Sequence, residues 1–469
     1  MKTDLVVIGG GPGGYAAAFY AADLGIETTL VDLEINPGGV CLYRGCIPSK
    51  ALLHAAKVIH EAREAAHFGL TFGEPQLDLD KLRTWKEGVV GKMTGGLGQL
   101  SKARKVKLIK GRAKFVSATQ LSIETEKSTE SLDFTHAILA TGSRPAKVPA
   151  FDIGSDKIWD STAALELKTL PKKLLVVGGG YIGLELGTVY SALGSEVSVV
   201  EMTAGLLPGA DRDLVKVLEP SVRAKMKDVW LNTKLVEMKA VKKGIQVTFE
   251  GDLVKEKVQI FDNVLVSVGR TPNSQGLGLE NTKVVVNKRG FVEVDPARRT
   301  AEPAIYAIGD IAGDPMLAHK ASHEGRVAVE AIAGHKVAFE PQAIPAVVFT
   351  DPEIAWAGLT EDGAKKDGIK VEVARFPWAA SGRATTLDRS DGVTKLLIDP
   401  ETRRILGVGI AGPGAGELIA EGTLAIEMGA VADDLKLTIH PHPTLSETVM
   451  EAAEVFFGQA THIYRPKKK

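Results

Sequence analysis

Two short apolar runs, each halted by glycines, dominate the hydrophobic pattern of the chain. Leu5-Val6-Val7-Ile8 runs into Gly9-Gly10-Gly11-Pro12-Gly13-Gly14, and Leu174-Leu175-Val176-Val177 runs into Gly178-Gly179-Gly180-Tyr181-Ile182-Gly183. A short run without polar alternation reads as a strand buried on both faces, as in a parallel sheet. Behind each glycine cluster lies an Ala- or Leu-rich stretch that reads as a helix. A second strand ending in an acid follows: Thr28-Thr29-Leu30-Val31-Asp32 in one copy, Val197-Ser198-Val199-Val200-Glu201 in the other. Gly9 to Asp32 and Gly178 to Glu201 are the same distance in sequence. Strand, G-x-G-x-x-G, helix, strand and acid together describe a dinucleotide-binding unit. Gly9 and Gly178 make the turn, Gly11 and Gly180 let backbone touch a pyrophosphate, and Gly14 and Gly183 let helix pack on strand. The helix N-terminus offers unpaired N–H groups to the phosphates, and Asp32 or Glu201 accepts from a ribose hydroxyl. One such motif is a weak signal, because glycine turns are common. Two copies with matched acids point to two dinucleotide sites rather than two structural turns.

The repeat sets the expected layout: an α/β fold with two Rossmann-like dinucleotide-binding domains and a C-terminal α+β dimerisation domain. The first occupies 1–145 and is rejoined by 274–345, because Ile305-Tyr306-Ala307-Ile308-Gly309-Asp310 reads as a strand ending in a polar turn. The Pro-bearing stretch Gly142-Ser143-Arg144-Pro145-Ala146-Lys147-Val148-Pro149 reads as a crossing linker. The second domain occupies 146–273 and closes on Val264-Leu265-Val266-Ser267-Val268-Gly269-Arg270. Residues 346–469 carry alternating strands such as Thr394–Ile398 and no fingerprint, which makes them the expected oligomer interface. The end, Arg465-Pro466-Lys467-Lys468-Lys469, reads as a solvated tail.

Length and charge narrow the function. At 469 residues the chain has room for about three domains. Lys and Arg number 57 against 58 Asp and Glu, so neither nucleic acid nor an anionic membrane is an expected partner. No apolar run reaches the roughly 18 residues of a membrane span. Leu5–Ile8 is also too short for a signal-peptide core, so a cytoplasmic protein is expected.

The only two cysteines, Cys41 and Cys46, sit just beyond the first ribose acid in Gly38-Gly39-Val40-Cys41-Leu42-Tyr43-Arg44-Gly45-Cys46-Ile47-Pro48-Ser49-Lys50. In an unbroken helix their Cα atoms would lie roughly 8.6 Å apart, beyond the about 7 Å that a disulfide spans. Pairing would therefore require a distorted turn, for which Gly45 is suited. A redox pair, inert core thiols and metal ligands are the competing readings. A zinc site would need two further ligands and there is no third cysteine, so no metal is expected.

These residues resemble the redox-active segment of the FAD-dependent pyridine nucleotide–disulfide oxidoreductases. The resemblance extends over nearly the whole chain. Ala140-Thr141-Gly142-Ser143-Arg144-Pro145 is similar to the family's crossing from flavin to nicotinamide domain, Ile308-Gly309-Asp310 to its flavin-ribityl turn, and Met316-Leu317-Ala318-His319-Lys320-Ala321 to the segment after it. Gly111-Arg112-Ala113 is a looser match to the turn at the FAD adenine, and Gly269 belongs to the close of the second unit. The resemblance implies FAD on Gly9, Gly11, Gly14, Asp32, Ala113, Thr141, Gly142, Ser143, Asp310 and Ala318. It implies NAD on Gly178, Gly180, Gly183, Glu201 and Gly269. Lys50 is then expected to pair with Glu185 beside the flavin. Cys41 and Cys46 become the catalytic disulfide. In His440-Pro441-His442-Pro443-Thr444-Leu445-Ser446-Glu447, the pair His442 and Glu447 becomes the acid/base dyad, with His440 as its neighbour. That dyad reaches the sulfurs of the other subunit, so a homodimer is implied.

Met202–Pro208 after Glu201 holds no cation for a 2′-phosphate, which favours NAD over NADP. Members needing further C-terminal redox residues, or keeping a single redox cysteine, do not fit. The remaining members oxidise a dihydrolipoyl group, so the implied partner is a lipoylated acyltransferase or carrier protein of a 2-oxoacid dehydrogenase or glycine-cleavage complex. An NADH-linked reductase of another disulfide or quinone, and a non-catalytic flavin- and NAD-binding subunit, are the alternatives. Tyr43-Arg44 departs from the usual residues between the cysteines, and Arg44 is expected to stabilise a thiolate.

Overall fold

The computed structural model describes residues 1–464; the C-terminal tail beginning at Arg465 lies outside them. Among the described residues, no helix is long and apolar enough to cross a membrane. The first fingerprint opens a sheet in which Lys107–Lys110, Thr28–Asp32, Lys2–Ile8 and Thr129–Leu139 lie side by side in parallel. Ile305–Ala307 joins in parallel beside the end of Thr129–Leu139, bringing a distant stretch of chain back to the first unit. Gln120–Glu124 and Arg112–Ser117 extend the other end antiparallel. The second fingerprint opens an all-parallel sheet of Asp228–Trp230, Glu196–Val200, Lys173–Val177, Asn263–Val266 and Ile158–Trp159. Leu5, Val6, Val7 and Leu174, Leu175, Val176 are fully buried, as unalternating strands covered on both faces require.

Both fingerprint turns fold alike. Gly9 and Gly178 have φ of +105° and +106°. A Cβ on Gly14 would stand 1.8 Å from the Gly9 carbonyl oxygen, and one on Gly183 would stand 2.3 Å from that of Gly178. The helices Pro12–Asp23 and Tyr181–Ala192 can therefore start where they do only with glycine at these contacts.

Between the units, Ser143–Pro145 pairs antiparallel with Arg270–Pro272, a two-stranded crossing. The C-terminal sheet is wholly antiparallel, ordered Ala346–Val348, Glu353–Gly358, Ile405–Gly412, Val393–Ile398 and Glu372–Pro377. It is tied to the second unit by a buried charge cluster. Lys395, 1% exposed, places Nζ 2.7, 2.7 and 2.8 Å from Asp211, Asp213 and Glu361. Those acids are close enough to ligate a cation, but the Lys395 ammonium already fills that place.

Candidate active site

The chain is helical on either side of the cysteine segment and broken between the two cysteines, as the distorted turn at Gly45 requires. Gly39–Arg44 carries Cys41, Gly45 interrupts, and Cys46 begins Cys46–Glu64. A Cβ on Gly45 would stand 2.9 Å from the Val40 carbonyl oxygen, so the break needs glycine. Both cysteines are thiols and within hydrogen-bond reach of each other. The Cys41 S–H donates to Cys46, which holds Cys46 down to about 7 from an ordinary 9.0, against burial and with help from the Lys50 charge. The same hydrogen bond and burial push Cys41 far up. Cys46 also sits at a helix N-terminus, where the backbone dipole favours a thiolate.

Both cysteines line one cavity of about 1450 Å³, part of it open to solvent. Among the expected site residues, Gly9, Gly11, Asp32, Lys50, Thr141, Gly142, Ser143, Glu185, Asp310 and Ala318 line it as well. Asp32 accepts from the Gly10 N–H at 2.5 Å and the Glu34 N–H at 2.8 Å, while burial pushes its carboxyl above the ordinary value. At another wall the Ser143 hydroxyl donates to Asp310 at 2.5 Å, and Arg270 donates to Ser143 at 2.7 Å. Gly14 is buried in the turn, and Ala113 has its side chain in the core; neither lines the cavity.

Lys50, one turn beyond Cys46, donates to Glu185 at 2.7 Å. Glu185 is 3% exposed and accepts the Phe349 N–H at 3.0 Å through its other oxygen. The Lys50 ammonium lies 4.4 Å from the centre of the Phe349 ring. Three parts of the chain thus meet at one buried charge pair. Nothing in the local sequence marks Phe349 or Arg270, because only packing creates these contacts. Arg44 corrects an expectation. It ion-pairs with Glu34 toward Asp32, and the charge that acts on Cys46 belongs to Lys50.

The second fingerprint forms a separate place. Glu201 accepts from the Gly179 and Thr203 N–H groups, both at 2.7 Å. The Gly178 turn lies against Ser267, two residues before Gly269, and Gly180 caps the helix that Gly183 packs. None of Gly178, Gly180, Gly183, Glu201 or Gly269 lines the cysteine cavity.

His442 and Glu447 are also outside that cavity. His442 Nδ1 lies 2.8 Å from Glu447 Oε1, and Glu447 Oε2 accepts the Thr444 N–H at 2.8 Å. Burial raises the Glu447 carboxyl, but the Thr444 N–H and His442 bring it below the ordinary value. The His442 side chain is 71% exposed, with Nε2 free to face outward.

Known proteins match this chain end to end. A dihydrolipoyl dehydrogenase of Vibrio parahaemolyticus is 51% identical, covering 100% of this chain and 98% of that protein. One of Thermus scotoductus is 48% identical over 99% of each. Among solved structures, LpdA of Mycobacterium tuberculosis superposes with a TM-score of 0.89 at 27% identity, covering 96% of this chain and 99% of that one. The HOCl-induced flavoprotein disulfide reductase RclA of Escherichia coli superposes at 0.86 and 26% identity, covering 96% and 99%. The profile of the pyridine nucleotide-disulphide oxidoreductases matches residues 3–325 and that of their dimerisation domain matches 344–453. With paired sulfurs beside one fingerprint and a second fingerprint apart from it, this chain belongs to the pyridine nucleotide-disulphide oxidoreductase family.

Proposed function

We propose that this chain acts as a dihydrolipoyl dehydrogenase, a homodimer that oxidises a protein-bound dihydrolipoyl group to lipoyl and passes the electrons to NAD+. The observation that carries this reading is the broken helix at Gly45. It holds two sulfurs together at the wall of the fingerprint cavity, with Lys50 one turn further on and paired to Glu185 of another helix.

The cavity fits FAD. Asp32 of the first fingerprint and Asp310, which accepts from Ser143 of the crossing, both line it, as does the N-terminus of the helix Pro12–Asp23. Bound there, FAD supplies a two-electron relay between the sulfur pair and nicotinamide. Gly178, Gly180, Gly183, Glu201 and Gly269 hold NAD. The flavin-binding part comprises 1–145 with 274–345, the NAD-binding part 146–273, and the interface part 346–469.

In the oxidised protein Cys41 and Cys46 form a disulfide, and in the reduced protein they are separate sulfurs. His442 Nε2 takes the proton of one dihydrolipoyl thiol, because a free thiol near pKa 8.5 is mostly protonated at neutral pH. The substrate thiolate attacks Cys41 Sγ, the enzyme S–S bond breaks, and Cys46 leaves as a thiolate. Its pKa near 7 and the adjacent Lys50 make it a good leaving group. His442 returns that proton to Cys41 as the second substrate sulfur displaces it, and then holds the proton of the second thiol. Lipoyl disulfide and enzyme dithiol result. Two electrons and one proton of that dithiol reduce NAD+ to NADH, one proton is released, and the Cys41–Cys46 bond reforms.

His442 is exposed and outside its own chain's cysteine cavity, which supports its service to the sulfurs of a second copy. The partner of this dimer is a lipoylated acyltransferase or carrier protein of a multienzyme complex, and its compartment is the cytoplasm. Mixing the purified holoprotein with dihydrolipoamide and NAD+ tests the reading. NADH absorbance should appear in proportion to lipoamide formed; a flavin-loaded protein that forms none refutes it.

A further inference from the structure

His440 and His442 lie two residues apart in opposite surroundings. The His442 side chain is 71% exposed and that of His440 is 5% exposed. Both ring nitrogens of His440 are engaged: Nδ1 lies 2.9 Å from the Thr438 carbonyl oxygen and Nε2 lies 2.7 Å from Glu421 Oε1. A carbonyl only accepts, so Nδ1 carries a proton and donates it. A neutral imidazole then has no proton for the second contact. The 2.7 Å approach to Glu421 requires another, carried on Nε2 or on the carboxylate. Either way both ring nitrogens are committed, and His440 is not free to serve as a base.

Its place in the fold gives it a task. Glu421 belongs to the helix Ala415–Glu427, which packs on the strands Glu353–Gly358 and Ile405–Gly412 of the C-terminal sheet. His440 begins the loop that carries His442 to Glu447. That loop is otherwise outward: Ile439 is 95% exposed, and Pro441, His442 and Pro443 are exposed. Its far end is tied by Glu447, which accepts from both His442 and the Thr444 N–H. Its near end is tied by His440 to Glu421. We propose that His440 is a positioning residue: through Glu421 it anchors the near end of the loop to the helix, so that the far-end contact with Glu447 orients a ring already in place. The role deepens the function proposed above and rests on His442 being the base.

The test uses the holoenzyme with Glu421→Leu, Glu421→Gln and His440→Leu. Losing the anchor should lower kcat for dihydrolipoamide oxidation about tenfold or more in Glu421→Leu and His440→Leu, as a misplaced catalytic group does. NADH-to-ferricyanide transfer, which needs no base at the dithiol, should be unchanged in both. Glu421→Gln should stay close to wild type. Its amide N–H donates to an unprotonated Nε2 while Nδ1–H keeps Thr438, so both contacts survive without the extra proton. A Glu421→Leu protein that oxidises dihydrolipoamide like wild type overturns the inference, as does a Glu421→Gln protein as poor as Glu421→Leu. Limited proteolysis reads the anchor without turnover. Cleavage between 438 and 446 should quicken in Glu421→Leu but not in Glu421→Gln, and equal cleavage in all three also overturns it. Failure of the wild-type protein to oxidise dihydrolipoamide, with this cleavage pattern intact, would instead remove the proposed function and leave the anchor standing.

Discussion

Replacing Cys41 by Ala should raise the pKa of Cys46, and the size of that rise follows from the hydrogen bond it loses. Cys46 is held at about 7 from 9.0, first by donation from Cys41 and then by Lys50, with burial opposing both. A hydrogen bond to a charged acceptor contributes about 1.5–3 kcal/mol, which is roughly one to two pKa units. The lone thiol of Cys41→Ala is therefore expected to titrate at about 8–9. At pH 7 its thiolate fraction should fall from about one half to about 1–10%. Only thiolate is alkylated, so the iodoacetamide rate at that pH should drop about five- to fiftyfold. The chain's two cysteines make the assay clean, because the variant has a single thiol to follow by mass spectrometry across pH. Adding Lys50→Met should raise the midpoint further. A Cys41→Ala protein whose alkylation midpoint stays near 7 would refute the reasoning and leave Lys50 and the helix N-terminus as the cause.

His442→Gln should lower dihydrolipoamide turnover by about 10²–10⁴-fold while the flavin absorbance of the purified protein is unchanged; steady-state rates and a visible spectrum check both. Glu201→Ala removes the acceptor for the Gly179 and Thr203 N–H groups. It should raise KM for NAD+ without creating use of NADP+, since no cation is added, as kcat/KM with each nucleotide will show. Lys395→Met leaves Asp211, Asp213 and Glu361 facing one another without their ammonium, and should cost about 3–5 kcal/mol of stability at pH 7 by urea unfolding. Burial raises Asp213 and Glu361, but Lys395 and Arg375 bring them below their ordinary 3.8 and 4.5. Their stabilisation is therefore present above those ordinary values and lost as pH falls through the lowered ones. The gap between wild type and Lys395→Met should close in that acid range.

Much of the molecule was legible in the sequence because its signals are local. A glycine that must lie against a carbonyl, as Gly14 lies against Gly9, allows no other side chain, so the motif marks its own turn. An uninterrupted run such as Leu174–Val177 is buried on both faces wherever it occurs in a parallel sheet. The broken helix at Gly45 could be anticipated for the same reason, since five-residue spacing in a helix has only one geometry. The pairing of Lys50 with Glu185 is implied only by resemblance, because nothing in either segment names the other.

Tertiary packing decided the rest. Arg44 stands two residues from Cys46 in sequence, yet it turns to Glu34, and Lys50 supplies the charge at the sulfur. Phe349 reaches the Lys50–Glu185 pair from the C-terminal part of the chain, and Lys395 pairs with three acids that lie outside its own strand. His440 and His442 share one short motif, but Glu421, 19 residues upstream on a helix, holds the first in a buried contact and leaves the second outside. Backbone direction settles which way a residue faces within a turn or two. Which charge it meets depends on elements brought together only when the separate sheets and helices dock.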